Sequence, residues 1–130
     1  MPATYVDSSG LVKLAVEEPE SAALRRFLRR RRPLLSSSLA RTEVLRALLL
    51  EGERGLARGR AVLARVELLR VSDRVLSAAG VLLPAALRSL DAIHLATAQQ
   101  LGTDLGQMVT YDARMLEAAA QVGIRAISPT

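Results

Sequence analysis

Apolar and polar positions along the 130-residue chain fall into short apolar runs separated by longer amphipathic stretches. Residues 3–6 (ATYV), 34–37 (LLSS), 67–71 (ELLRV), 107–111 (QMVTY) and 124–128 (IRAIS) read as short strands. The stretches between them carry helical spacing. SGLVKLAV follows the first strand, and ESAALRRFLRR places Leu24, Phe27 and Leu28 on one inner face. A long helix is predicted from about Leu39 to Arg54, its end loosened by Gly52, Gly55 and Gly59, with a further helix over roughly 58–66. Asp73 is the predicted cap of RVLSAAGVLL, Ser89 opens a helix containing Asp91, and ARMLEAAAQV forms the last helix. Strands alternating with helices predict an α/β fold in a single domain over residues 1–130: a short parallel sheet of four to five strands covered by helices on both faces.

Composition narrows the functional classes. Half the residues are apolar but aromatics are few, so the core is expected to be Leu, Val and Ala. Cysteine is absent, which removes disulfides and thiolate metal sites. No apolar run approaches the ~20 residues of a membrane span. The N-terminal residues lack the charged and apolar regions of a signal peptide, so a cytoplasmic location is expected. The net charge of +5 and a pI near 10.9 favour a polyanion or an acidic protein as partner. Within RRFLRRRR, the pairs Arg25/Arg29 and Arg26/Arg30 lie at helical spacing, as an RNA-backbone patch or as a solvated face.

Carboxylates in apolar company supply the candidate chemistry. At helical spacing Glu43 neighbours Leu39, Ala40, Ala47 and Leu50; Asp91 neighbours His94, Leu95 and Ala98; Asp112 neighbours Met115, Leu116 and Ala119. Asp7 ends a strand where the chain turns into a helix. Singly, each has a plain explanation: Asp91 and Asp112 as helix-start residues, Glu43 as partner of Arg46, Asp7 as a strand end. Together, four ionised carboxylates at one sheet edge would repel one another, and Lys13 and Arg46 are too few to neutralise them. A divalent ion with oxygen ligands, Mg²⁺ or Mn²⁺, relieves that repulsion. In open α/β sheets such sites lie beyond the carboxyl ends of the strands. His94 reads as a structural histidine hydrogen-bonded locally. No Gly-x-Ser-x-Gly elbow, phosphate-binding loop or dinucleotide fingerprint is present.

In order and spacing, YVDSSGLVKLAVEEPES, SSSLARTEVLRALL, LRSLDAIHLATA and VTYDARMLEAA resemble the segments of PIN-domain ribonucleases, most closely the VapC toxins of toxin–antitoxin pairs. The likeness spans almost the whole chain and is vaguest between about 52 and 85. It implies a PIN fold in which Asp7, Glu43, Asp91 and Asp112 bind Mg²⁺ or Mn²⁺ and cut RNA, with Thr110 as a supporting hydroxyl. It also implies products with 5′-phosphate and 3′-hydroxyl ends, a cognate VapB-type antitoxin and a homodimer. Two departures stand out: Gly10 where alanine is commoner, and a short expected strand before Thr110. A PIN nuclease that processes RNA without an antitoxin, and a catalytically silent binding module, remain the alternatives.

Overall fold

A computed structural model describes residues 2–130 as five strands and seven α-helices around one parallel sheet. The order along the chain is β1 (Ala3–Val6), α1 (Ser8–Ala15), α2 (Ser21–Leu28), β2 (Leu34–Ser37), α3 (Ala40–Leu48), α4 (Gly52–Leu63), β3 (Glu67–Leu69), α5 (Asp73–Gly80), α6 (Ser89–Gln100), β4 (Leu105–Val109), α7 (Ala113–Gln121) and β5 (Ala126–Ile127). Short 3₁₀ turns at Leu49–Glu51 and Gly102–Asp104 precede α4 and β4. The sheet order is β3-β2-β1-β4-β5, every pairing parallel, as the alternating pattern predicts.

Adjacent strand residues face opposite layers, which is the pleat read directly in the core. Val6 and Val109 join Leu11, Leu24 and Val44 beneath α1–α4. Tyr5 and Met108 join Leu95 and Met115 beneath α6 and α7. The chain builds outward from β1 to β2 and β3, then crosses to β4 on the other side of β1. Between β1 and β4 the connections diverge, and the strand ends there open a crevice.

Four boundaries differ from the sequence pattern. The helix expected to run from Leu39 to Arg54 stops at Leu48, and α4 starts at Gly52, whose φ of 72° breaks the helical path. The glycines beyond it do not loosen a helix end. A Cβ at Gly59 would sit 2.7 Å from Leu48 Cδ1, so this glycine lets α3 and α4 approach closely. Ser72, not Asp73, caps α5, its hydroxyl accepting from Val75 N at 3.2 Å. The strand before Thr110 is not short: β4 pairs with β1 from Leu105 onward and is the longest of the five. It ends at Val109 because the next residues turn to other partners, Tyr111 N donating to Ser9 Oγ at 2.9 Å.

Candidate active site

Asp7 leaves β1 at the strand-end edge and caps α1, with Oδ1 accepting from Gly10 N at 3.2 Å and from Ser9 Oγ at 2.6 Å. Its other oxygen, Oδ2, accepts from Thr110 Oγ1 at 2.6 Å. The residue is only 4% exposed, and these hydrogen-bond donors are all uncharged. Burial pushes its carboxyl above the ordinary range, only partly offset by the Ser9 and Thr110 hydroxyls. Thr110, itself buried, also accepts from Asp112 N at 3.1 Å, so one hydroxyl ties the end of β1 to the cap of α7.

Glu43, in the first turn of α3, turns to α6 and the start of α1. Its Oε1 accepts from His94 Nε2 at 2.6 Å and from Ser8 Oγ at 2.7 Å. His94 Nδ1 meets Tyr5 Oη at 2.7 Å. Burial raises the Tyr5 phenol and keeps it protonated, so its O–H donates to Nδ1 and Nε2–H is left for Glu43. Burial pushes Glu43 up, but the bonds from His94 and Ser8 outweigh it and hold the carboxyl below its usual value. His94 is thus structural but not local, since its partners lie 89 and 51 residues away. Arg46 is not the partner of Glu43.

Asp91 and Asp112 meet on a single cation. Arg88 Nε donates to Asp91 Oδ2 and its Nη2 donates to Asp112 Oδ2, each at 3.2 Å. Asp112 Oδ1 meanwhile caps α7, accepting from Arg114 N at 2.8 Å and Met115 N at 3.3 Å. Lys13, the other cation considered from the sequence, is engaged by Glu18 and Glu20.

All four predicted acids therefore stand on the strand-end edge. Asp7 reaches Asp112 through Thr110, Asp112 reaches Asp91 through Arg88, and Glu43 bonds Ser8, the residue after Asp7. As they lie, no three Asp, Glu or His side chains among the described residues are grouped closely enough to enclose a metal ion. The donor set nevertheless fits a hard cation. It is carboxylate oxygen throughout, it includes a buried Asp7 without a cationic hydrogen-bond partner, and it includes two outward oxygens that already converge on one positive group. Mg²⁺-type ions need only one or two carboxylates, with waters completing the shell.

The arginine run lies elsewhere. Arg31 O accepts from Thr4 Oγ1 and Pro33 O from Thr4 N, which puts the end of the run at the edge where the strands start. Arg25 pairs with Glu17, and Arg29 and Arg30 lie past the end of α2. Ser8, Ser9 and Arg88 had no place in the sequence reading. The Arg88–Asp91 spacing of three residues was the one local signal for the last of them.

An α/β sheet whose strand ends gather four acids around a switch point defines a class of metal-assisted phosphodiesterase scaffolds. Comparison with known proteins is specific: the PIN domain family model matches residues 4–121, and the chain belongs to that family. Over 130 residues, all of both chains, it is 61% identical to Ribonuclease VapC46 of Mycobacterium tuberculosis (strain ATCC 25618 / H37Rv). It is 38% identical to Ribonuclease VapC47 of M. tuberculosis (strain CDC 1551 / Oshkosh), with 96% of each chain covered. Among solved structures, M. tuberculosis VapC20, a sarcin–ricin-loop-cleaving toxin, aligns with a TM-score of 0.78 at 17% identity, covering 98% of this chain and 100% of that one. A toxin–antitoxin complex from Klebsiella pneumoniae aligns with a TM-score of 0.75 at 20% identity and 98% coverage of both.

Proposed function

We propose that this chain is a divalent-cation-dependent endoribonuclease of the VapC type, acting as the toxin of a toxin–antitoxin pair. The observation that carries this reading is the convergence of the Asp91 and Asp112 oxygens on one cationic position, two hydrogen bonds from buried Asp7. Full-length identity of 61% to a ribonuclease supports it.

Asp91, Asp112 and Asp7 would hold Mg²⁺ or Mn²⁺, with Glu43 beside them. When bound, the cation lowers the pKa of a ligated water and stabilises charge on the phosphate. The chain's own residues do the rest. His94 and Ser8 fix the carboxylate of Glu43 in its ionised form, where it accepts a hydrogen bond from the attacking water and orients it. Thr110 and Ser9 lock Asp7 so that its position survives metal loss. Water oxygen attacks phosphorus, the bond from phosphorus to the 3′ oxygen breaks, and a proton passes to that oxygen. The products carry 5′-phosphate and 3′-hydroxyl ends.

The partners follow from the same reading. A VapB-type antitoxin neutralises the toxin, in line with structural neighbours solved as toxin–antitoxin complexes. Leu76, Val81, Leu83 and Leu90, exposed on α5, α6 and the loop joining them, offer an apolar face for a homodimer. The absence of any helix long and apolar enough to cross a membrane, among the described residues, accords with a cytoplasmic place.

The test uses purified protein, RNA and Mg²⁺ or Mn²⁺. Asp7→Asn and Asp112→Asn are each expected to slow cleavage by about a hundredfold or more, the scale of losing a metal-held transition state. Undiminished cleavage by either variant overturns the site assignment. Expression of the wild type should arrest growth, and co-expression of a small adjacent reading frame should relieve it.

A further inference from the structure

The least expected member of the site is Arg88. It precedes α6 in an extended conformation, and its side chain makes no helix cap. Its guanidinium instead spans two elements, giving one donor to Asp91 in α6 and another to Asp112 at the start of α7. Both bonds, at 3.2 Å, are longer than the ~2.7–2.9 Å of a tight charge-assisted pair. The arginine side chain is 64% exposed, against 18% and 28% for the two aspartates. A loosely held, solvated cation therefore stands between two carboxylates that face inward from separate helices.

We propose that Arg88 is a built-in counter-ion that a divalent cation must displace from the Asp91–Asp112 pair, and that it thereby sets the metal affinity of the site. This rests on the reading of the four acids as a cation site. The physical argument is competition for the same lone pairs. Each aspartate has one oxygen free of other protein bonds or nearly so: Asp112 Oδ1 is spent on its helix, and both Oδ2 atoms are spent on the guanidinium. A divalent ion cannot take these two oxygens while the fork holds them, and a retained positive charge beside it is repulsive. With Arg88 in place the pair carries one net negative charge; without it, two. The arginine thus quiets the repulsion of the metal-free site and weakens the grip on metal. Its exposed position lets the side chain leave without disturbing the core.

The measurement is Mn²⁺ binding to the purified full chain, read from the spin-resonance signal of free Mn²⁺, for the wild type and Arg88→Gln at low ionic strength. Because Arg88 is largely exposed, the variant is expected to fold, and its circular dichroism should match the wild type. Arg88→Gln is expected to bind Mn²⁺ about fivefold more tightly, the scale of two partly exposed ion pairs, and the gap should narrow in high salt. Its metal-free melting temperature should fall while its rise on adding Mn²⁺ exceeds that of the wild type. Equal or weaker binding by the variant, with the wild type binding Mn²⁺, overturns the role given to Arg88 alone. No Mn²⁺ binding by either protein overturns it together with the cation reading of the four acids.

Discussion

Asp7→Asn should make the metal-free protein more stable at neutral pH while removing its activity. Ionising a buried carboxylate with no cationic hydrogen-bond partner costs several kcal/mol. Asp7 recovers part of that cost through Ser9, Thr110 and Gly10 N, bonds of a kind that contribute about 1.5–3 kcal/mol each when the acceptor is charged. Its raised carboxyl value shows that burial still wins. An asparagine keeps an oxygen for Gly10 N and Ser9, and the Thr110 hydroxyl can rotate to accept from the amide. The expected gain is about 1 kcal/mol, or roughly 3–5 °C in melting temperature for a domain of this length. The sign with pH follows from the direction of the shift. Because the folded value lies above the unfolded value of 3.8, the wild type carries its penalty above the folded value and sheds it as the pH falls toward 3.8. Thermal unfolding followed by circular dichroism in EDTA should show the variant melting higher near pH 7.5, with the gap closing by about pH 4. Adding Mn²⁺ should then raise the wild type more than the variant. A variant that melts at or below the wild type near neutrality, or a gap indifferent to pH, refutes the electrostatic account of Asp7.

Two further outcomes address the surroundings of the site. His94→Ala releases Glu43 from its buried anchor, so cleavage should fall about 10- to 100-fold, as when the partner of a metal ligand is lost. Mn²⁺ binding should change far less, and unaltered turnover in a folded variant would reduce His94 to packing. Replacing Arg29 and Arg30 by glutamine should weaken RNA binding and flatten its dependence on log salt by about 1; an unchanged slope would mark these side chains as a solvated face.

The sheet was legible because its strands are buried on both sides and so read as unbroken apolar runs, and the acids follow those runs in the chain. That is why the strand-end edge could be anticipated for Asp7 and Asp112. The helix boundaries were less legible. Gly52 ends one helical path and begins another through a positive φ, whereas Gly59 serves close helix packing, and the same residue type gives no local clue to which role applies. The partners of Glu43 were hidden for a different reason. Arg46 sits at the right helical spacing, but the carboxylate turns inward to Ser8 and to His94, contacts that exist only once distant elements have met. Arg88 was hidden in part: its spacing from Asp91 is local, but its bond to Asp112 spans 24 residues.

Asp7 and Asp112 divide their labour atom by atom. In each, Oδ1 seats the following helix, and Oδ2 looks toward the other members of the site. An amide in place of either acid can still seat the helix while surrendering the anionic oxygen. Architecture and reactivity are thus separable by a single base change at either codon, so a lineage built on this scaffold can fall silent in one step, keeping its shape and whatever company that shape keeps.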